Sequence, residues 1–147
     1  MLEVDGKQLG GSMIIARYLG EQFGLAGENP FENAQLANIV EAAYDFNQEM
    51  VKVWFETDEA RKAEMQKKLE EEIIPEKLQI FEKRASKNDS GWLTWADFFL
   101  YISLEWAQKM TNDKALSSFP GLTKLRDSEE ALPNIAKWIK ERSVTEY

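Results

Sequence analysis

The 147-residue sequence contains neither cysteine nor histidine. Without cysteine there are no disulfides and no thiolate nucleophile. Without histidine the usual general base and the usual zinc ligand are missing, so any chemistry falls to carboxylates, Tyr, Ser and Lys. Proline occurs four times and glycine eight, with no low-complexity segment and no internal repeat. Positive charge is also short: 18 Lys and Arg stand against 26 Asp and Glu, a net charge of −8. Such a surface disfavours nucleic acid, whose phosphates need a basic patch, and disfavours anionic membranes. No apolar run approaches the ~18 residues of a membrane span, and the polar, acidic N-terminus does not read as a signal peptide. The expectation is a cytoplasmic protein with no nucleic-acid or membrane partner and no metal.

What is present is the material of a globular domain. Apolar residues make up 44% and aromatics 12%, and a chain of this length hides roughly 70% of its unfolded surface. The stretch from Gly91 to Ile102 (Gly-Trp-Leu-Thr-Trp-Ala-Asp-Phe-Phe-Leu-Tyr-Ile) organises the rest. Thr94 is placed to cap a helix, its hydroxyl accepting from the Asp97 N–H while Asp97 reaches back to the Thr94 N–H, a capping box. Leu93 and Phe98 are spaced as a hydrophobic staple. Phe98, Phe99, Leu100, Tyr101, Ile102, Leu104 and Trp106 make the helix apolar almost all round, which predicts a buried central helix.

The other elements come in order along the chain. Leu2 to Leu9 alternates about Asp5-Gly6, a hairpin signal. Ser12 is the predicted cap of a helix over residues 13–23, with Gly24 as its stop and Ile15, Tyr18, Leu19 and Phe23 on one face. Residues 24–29 read as a linker. Asn29-Pro30 opens a long helix with Leu36, Ile39, Val40, Ala43, Tyr44, Met50 and Trp54 inward. A third helix starts near Asp58, carries Met65, Leu69, Ile73, Leu78 and Phe81 inward, and meets Pro75, which should kink or break it near Ile74. Ser86 to Ser90 is a polar loop before the central helix. A loop near Asn112-Asp113 ends that helix, and Pro120 and Pro133 start two short ones, the last with Ile135, Trp138 and Ile139 inward. The sum is mainly α: a hairpin and one helix over residues 1–26, then a helical bundle over residues 27–147.

With these elements in order, Leu2 to Leu9, Ser12-Met13 and Ile15 to Leu19 resemble the end of the thioredoxin-like N-terminal domain of cytosolic glutathione transferases. The sigma class, which includes haematopoietic-type prostaglandin D synthases and S-crystallins, fits best. Leu93-Thr94-Trp95-Ala96-Asp97 matches the capping signature of the family's all-helical C-terminal domain. Leu132 to Lys140, Arg142 and Val144 to Tyr147 resemble the sigma-class tail. The resemblance implies glutathione as a substrate, conjugated to a small electrophile by attack of its thiolate on an electrophilic carbon, in a homodimer. It also implies that Gly11 and Ser12 stand where the family's Gln-Ser pair holds the γ-glutamyl carboxylate. Asp45 stands where an acid reaches the partner's γ-glutamyl amino group, and Asn47, Met50 and Val51 stand where the substrate pocket is built.

Each of these has a plainer reading as well. Ser12 can be a simple helix cap, Asp45 a solvated acid, and Met50 and its neighbours core. Thr94 and Asp97 are expected to be structural. No residue is assigned as catalytic, because none of Tyr18, Tyr44, Tyr101 and Tyr147 occupies the position of the family's thiol-activating Tyr, and the first βαβ unit of the family pattern has no counterpart. The expectation is a family member impaired in catalysis as a shortened chain, or a sequence that omits an N-terminal segment. The alternative is a non-enzymatic, S-crystallin-like structural or dimerising module.

Overall fold

The computed structural model describes residues 1–86 and 93–143. Gly91 and Trp92 of the organising stretch, the loop beyond Ser86, and the tail Val144 to Tyr147 lie outside the described residues.

Strands β1 (Leu2–Val4) and β2 (Lys7–Leu9) pair antiparallel, with Leu2 opposite Leu9 and Val4 opposite Lys7. Asp5 and Gly6 turn the chain at φ 49° and 73°. Positive φ at both central residues matches the right-handed twist of a hairpin, which is why Asp-Gly serves here.

Helix α1 spans Ser12–Gln22. Its cap is Gly11, at φ 85° and ψ 121°, and not Ser12. The Gly11 carbonyl already takes the first helical bond, from the Ile15 N–H at 2.9 Å, so Ser12 enters as the first helical residue and its hydroxyl caps nothing. The helix stops at Gly24 as expected, where the Leu25 N–H turns back to the Gly20 carbonyl at 2.8 Å. That bond is the closing contact of a Schellman motif. Phe23, expected inward, falls at the helix end and is exposed.

Helix α2 (Pro30–Trp54) begins as expected: the Asn29 side chain accepts from the N–H groups of Phe31 and Glu32, each at 3.0 Å. Glu32 in turn accepts from the Glu28 N–H at 2.7 Å, so the free donors of the first turn are met by side chains. The buried stripe is Leu36, Ile39, Val40, Ala43, Phe46, Met50 and Val53. Tyr44 and Trp54, expected inward, are exposed. Steps of three and four residues from Ala43 lead to Phe46, Met50 and Val53, and Tyr44 and Trp54 lie one position off that line.

Helix α3 (Glu59–Lys68) is capped by Asp58, which accepts from the Arg61 N–H at 2.9 Å. A single π turn over Leu69–Ile73 then leads into α4 (Ile74–Ala85). Pro75 has no N–H, and its ring would strike the carbonyl four residues back. One wider turn ahead of it lets the helix continue, so the expected break is a π turn instead.

Helix α5 (Trp95–Met110) is central and packs mainly on α2, with α1 and α6 on its flanks. It buries Trp95, Ala96, Asp97, Leu100, Ser103, Leu104 and Ala107, whereas Ile102 is exposed, so its apolar surface is wider than its buried face. The Thr94–Asp97 capping box is present. One carboxylate oxygen of Asp97 accepts from both the Thr94 N–H and the Thr94 hydroxyl, each at 2.7 Å. With the hydroxyl donating to that carboxylate, the Asp97 N–H donates to the Thr94 carbonyl at 3.0 Å. Thr111 closes the far end: its hydroxyl donates to the Ala107 carbonyl at 2.8 Å and accepts from the Ala115 N–H at 2.9 Å. Asn112 and Asp113 then reverse the chain at positive φ. Helices α6 (Pro120–Glu130) and α7 (Pro133–Glu141) each carry Pro in the first turn. On α7, Ile135 and Ile139 are half-buried, but Trp138 is exposed.

Two clusters form the interior. The larger gathers Phe46, Met50, Leu69, Leu78, Leu100, Leu104 and Leu122 with their neighbours. The smaller joins Leu36, Ile39, Val40, Trp95 and Ala96 to Met13 and Ala16 of α1 and to Leu25. Helix α1 is therefore packed on the bundle. The buried Gly20 makes this possible, because a Cβ there would lie 2.6 Å from Trp95 Cβ. The Trp95 N–H donates to the Leu25 carbonyl at 3.0 Å across the same junction.

Asp97 is 5% exposed. Replacing it by Ala is expected to lower stability by ~1–2 kcal/mol through the lost cap, with little change in retention on glutathione. A melting curve that matches wild type would contradict the structural role.

Candidate functional site

The N-terminus of α1 presents Gly11 and Ser12 to solvent. The first N–H groups of any helix lack intrahelical acceptors and carry partial positive charge. No acidic residue occupies this first turn and, among the described residues, no side chain caps it, so its donors are open to an external carboxylate. The Ser12 hydroxyl beside them can add one more hydrogen bond.

Asp45 sits midway along α2 and is exposed. Met13 and Ala16 of α1 pack against the cluster that Leu36, Ile39 and Val40 of α2 form with Trp95 and Ala96 of α5, so Ser12 and Asp45 are carried by helices that share one core cluster. Asn47 and Val51, one turn apart, share a half-buried face. Met50 is turned ~100° from Val51 and is 1% exposed within the larger core cluster. The Asn47 Oδ1 is closed off from water and has no donor among the described residues. Trp54 and Phe55 project at the end of the same helix.

Among the phenols, Tyr101 donates to a Glu130 carboxylate oxygen at 3.2 Å. Burial, then the charges of Glu105 and Glu130, raises its pKa well above the usual phenol value. It stays protonated and engaged on the α5–α6 surface. Glu105 is itself pushed up, by burial first and by Glu130 second.

Two organising residues lie outside the sequence-based expectations. Glu82 of α4 places its carboxylate on the first turn of α6, accepting from the Gly121 N–H at 2.8 Å and the Leu122 N–H at 2.9 Å. Nothing in the charged run Glu82-Lys83-Arg84 marks one carboxylate as a tertiary cap. Gly20, in contrast, is open to detection, since a glycine inside a helical pattern usually has a packing reason. No described helix is long and apolar enough to cross a membrane.

Residues 44–142 match the family model described as "Glutathione S-transferase, C-terminal domain". The chain is 37% identical to glutathione S-transferase 1 of Ascaris suum, over 100% of this chain and 75% of that protein. It is 33% identical to glutathione S-transferase S1 of Drosophila melanogaster, over 99% of this chain but only 60% of that relative's length. The solved structure of prostaglandin synthase D of Nilaparvata lugens superposes with a TM-score of 0.87 at 33% identity, covering 97% of this chain and 73% of that one. A domain match over two thirds of the chain, and relatives aligned along almost the whole of this chain, place α1 and the helical bundle together in one known architecture: the chain belongs to the glutathione S-transferase family.

Proposed function

We propose that the chain acts in glutathione conjugation. The open N-terminus of α1 with Ser12 takes the γ-glutamyl carboxylate, and Asp45 serves the γ-glutamyl amino group of glutathione on a partner protomer. In the reaction the glutathione thiolate bonds to an electrophilic carbon and the leaving group departs with its electron pair. Val51 on α2, with Trp54 and Phe55 beyond it, supplies apolar surface for the electrophile, and Asn47 sets a polar amide beside it; Met50 backs that surface from the core. Residues 1–26 form the glutathione-side unit and residues 27–147 the helical unit. A cytosolic homodimer is the working form. Exposed Ile14, Phe23 and Phe31 on and beside α1 and α2 support burial against a second copy.

The observation that carries this reading is the uncapped α1 N-terminus, in a chain matched along nearly all its length by proteins named glutathione S-transferases. The first turn of α1 carries no phenol of its own to favour the thiolate. The purified chain should be retained on immobilised glutathione, lose retention on Ser12→Ala, and conjugate an aryl halide far more slowly than the Ascaris suum relative. Turnover equal to that relative would overturn the assignment of no catalytic residue. Absence of retention would favour the structural-module reading. Sedimentation distinguishes a dimer from the 17.0 kDa chain.

A further inference from the structure

Glu129 is the most anomalous group in the interior. It lies on the inner face of α6, seven residues after Leu122, and is 1% exposed. Both carboxylate oxygens are shut off from water, and neither has a hydrogen-bond partner among the described residues. The proposed glutathione chemistry uses none of this region, so a role for Glu129 stands or falls independently of it.

The described charged groups around Glu129 offer it no counter-ion. On α5, Asp97 acts on it as a like charge, and on its own helix Glu130 does the same. Glu105 of α5 works on Glu130 and is answered by Arg126. Arg126 binds Asp127 at 2.9 Å and reaches Glu130 at 4.0 Å. On α4, Arg84 acts on Asp97, and Glu82 is spent on the opposite end of α6. Lys124 of α6, Lys83 of α4, and Lys137, Lys140 and Glu141 of α7 are all exposed. A buried carboxylate with neither cation nor donor is far costlier than the same group carrying its proton.

We propose that Glu129 is carried inside the fold as the neutral acid, and that the seating of α6 on α5 is a pH-sensitive contact which loosens as this carboxyl releases its proton to solvent. The capped start of α5 is part of the same device, because the Asp97 side chain that accepts from Thr94 also acts on Glu129 as a like charge. A second buried charge beside it is therefore disfavoured. Helix α7 comes after α6 across Ala131-Leu132, so loosening the end of α6 moves α7 with it.

Burial first, then Asp97 and Glu130, raises the carboxyl from its ordinary 4.5 to about 8. Between these values the folded chain holds a proton that the unfolded chain has lost, so stability falls as pH rises through that window and levels off above it. The test is urea unfolding of the full chain at several pH values from 5 to 9, for wild type, Glu129→Gln and Glu129→Leu. Relative to either variant, the wild-type folding equilibrium should weaken by about tenfold per pH unit across the window and then run parallel. Glu129→Leu should be the more stable protein at pH 8. If one variant fails to fold, the other supplies the same comparison. Wild-type and variant curves that stay parallel from pH 5 to 8 would overturn the proposal.

Discussion

Replacing Glu82 by alanine is expected to lower the unfolding free energy by ~2–3 kcal/mol and the melting temperature by about 6–10 °C. The carboxylate accepts two backbone N–H groups at the start of α6, where the helix dipole also favours negative charge. Hydrogen bonds to a charged acceptor contribute about twice as much as neutral ones. Removing the acceptor leaves the Gly121 and Leu122 donors in a half-buried crevice, with Leu122 itself 0% exposed. Glu82→Gln keeps one acceptor and loses the charge, so it should fall between wild type and Ala. Urea unfolding of the three proteins is the measurement. An Ala variant within about 0.5 kcal/mol of wild type would mean that solvent replaces the cap without loss.

Gly20→Leu is expected to destabilise by ~3 kcal/mol or more and to weaken retention on glutathione. Helix α1 approaches the first turn of α5 so closely that a Cβ at residue 20 would lie 2.6 to 2.9 Å from Trp95 side-chain atoms. That contact is with the stem of a buried tryptophan, which has no room to yield. Gly20→Ala sets an overpacking cost of roughly 1–3 kcal/mol against about 1 kcal/mol gained in helix propensity, so its net loss should be smaller. The leucine cannot be accommodated without shifting α1, and α1 carries Gly11 and Ser12. Hydrogen exchange along residues 12–22 reports that shift directly. A leucine variant as stable as wild type, with unchanged protection in α1, would show that the helices can separate freely.

The Glu82 contact also marks where a sequence stops being legible. Signals carried by neighbours in the chain are readable: Asp5-Gly6 for the hairpin, Asn29-Pro30 for α2, the Thr94–Asp97 box, and Pro120 and Pro133 at helix starts. The phase of a stripe is less so. Tyr44 and Phe46 are both large and apolar enough to face inward, and only the packed neighbours decide for Phe46. Ser12 reads as a cap from its residue type, although Gly11 is the residue at φ 85°. A cap contributed from 39 residues away, as Glu82 contributes to Gly121, leaves no local trace. Nor does a glutamate on an apolar stripe declare that it is buried without a partner. Of the candidate site, the residues are legible as a resemblance, but their arrangement needs α1 to be seated on the bundle.

The π turn before Pro75 also resets the register of its rod. Leu69 and Ile74, both buried, are five residues apart, where an α-helical stripe would step by three or four. Residues 59–85 therefore behave as two helical waves with a slip of one residue between them. A periodicity scan run straight through Leu69 loses phase there, and comparing the two halves restores it only when one position is skipped. The slip lets a solvated, charge-rich first half and a core-facing second half share one rod while turning different sides to the bundle.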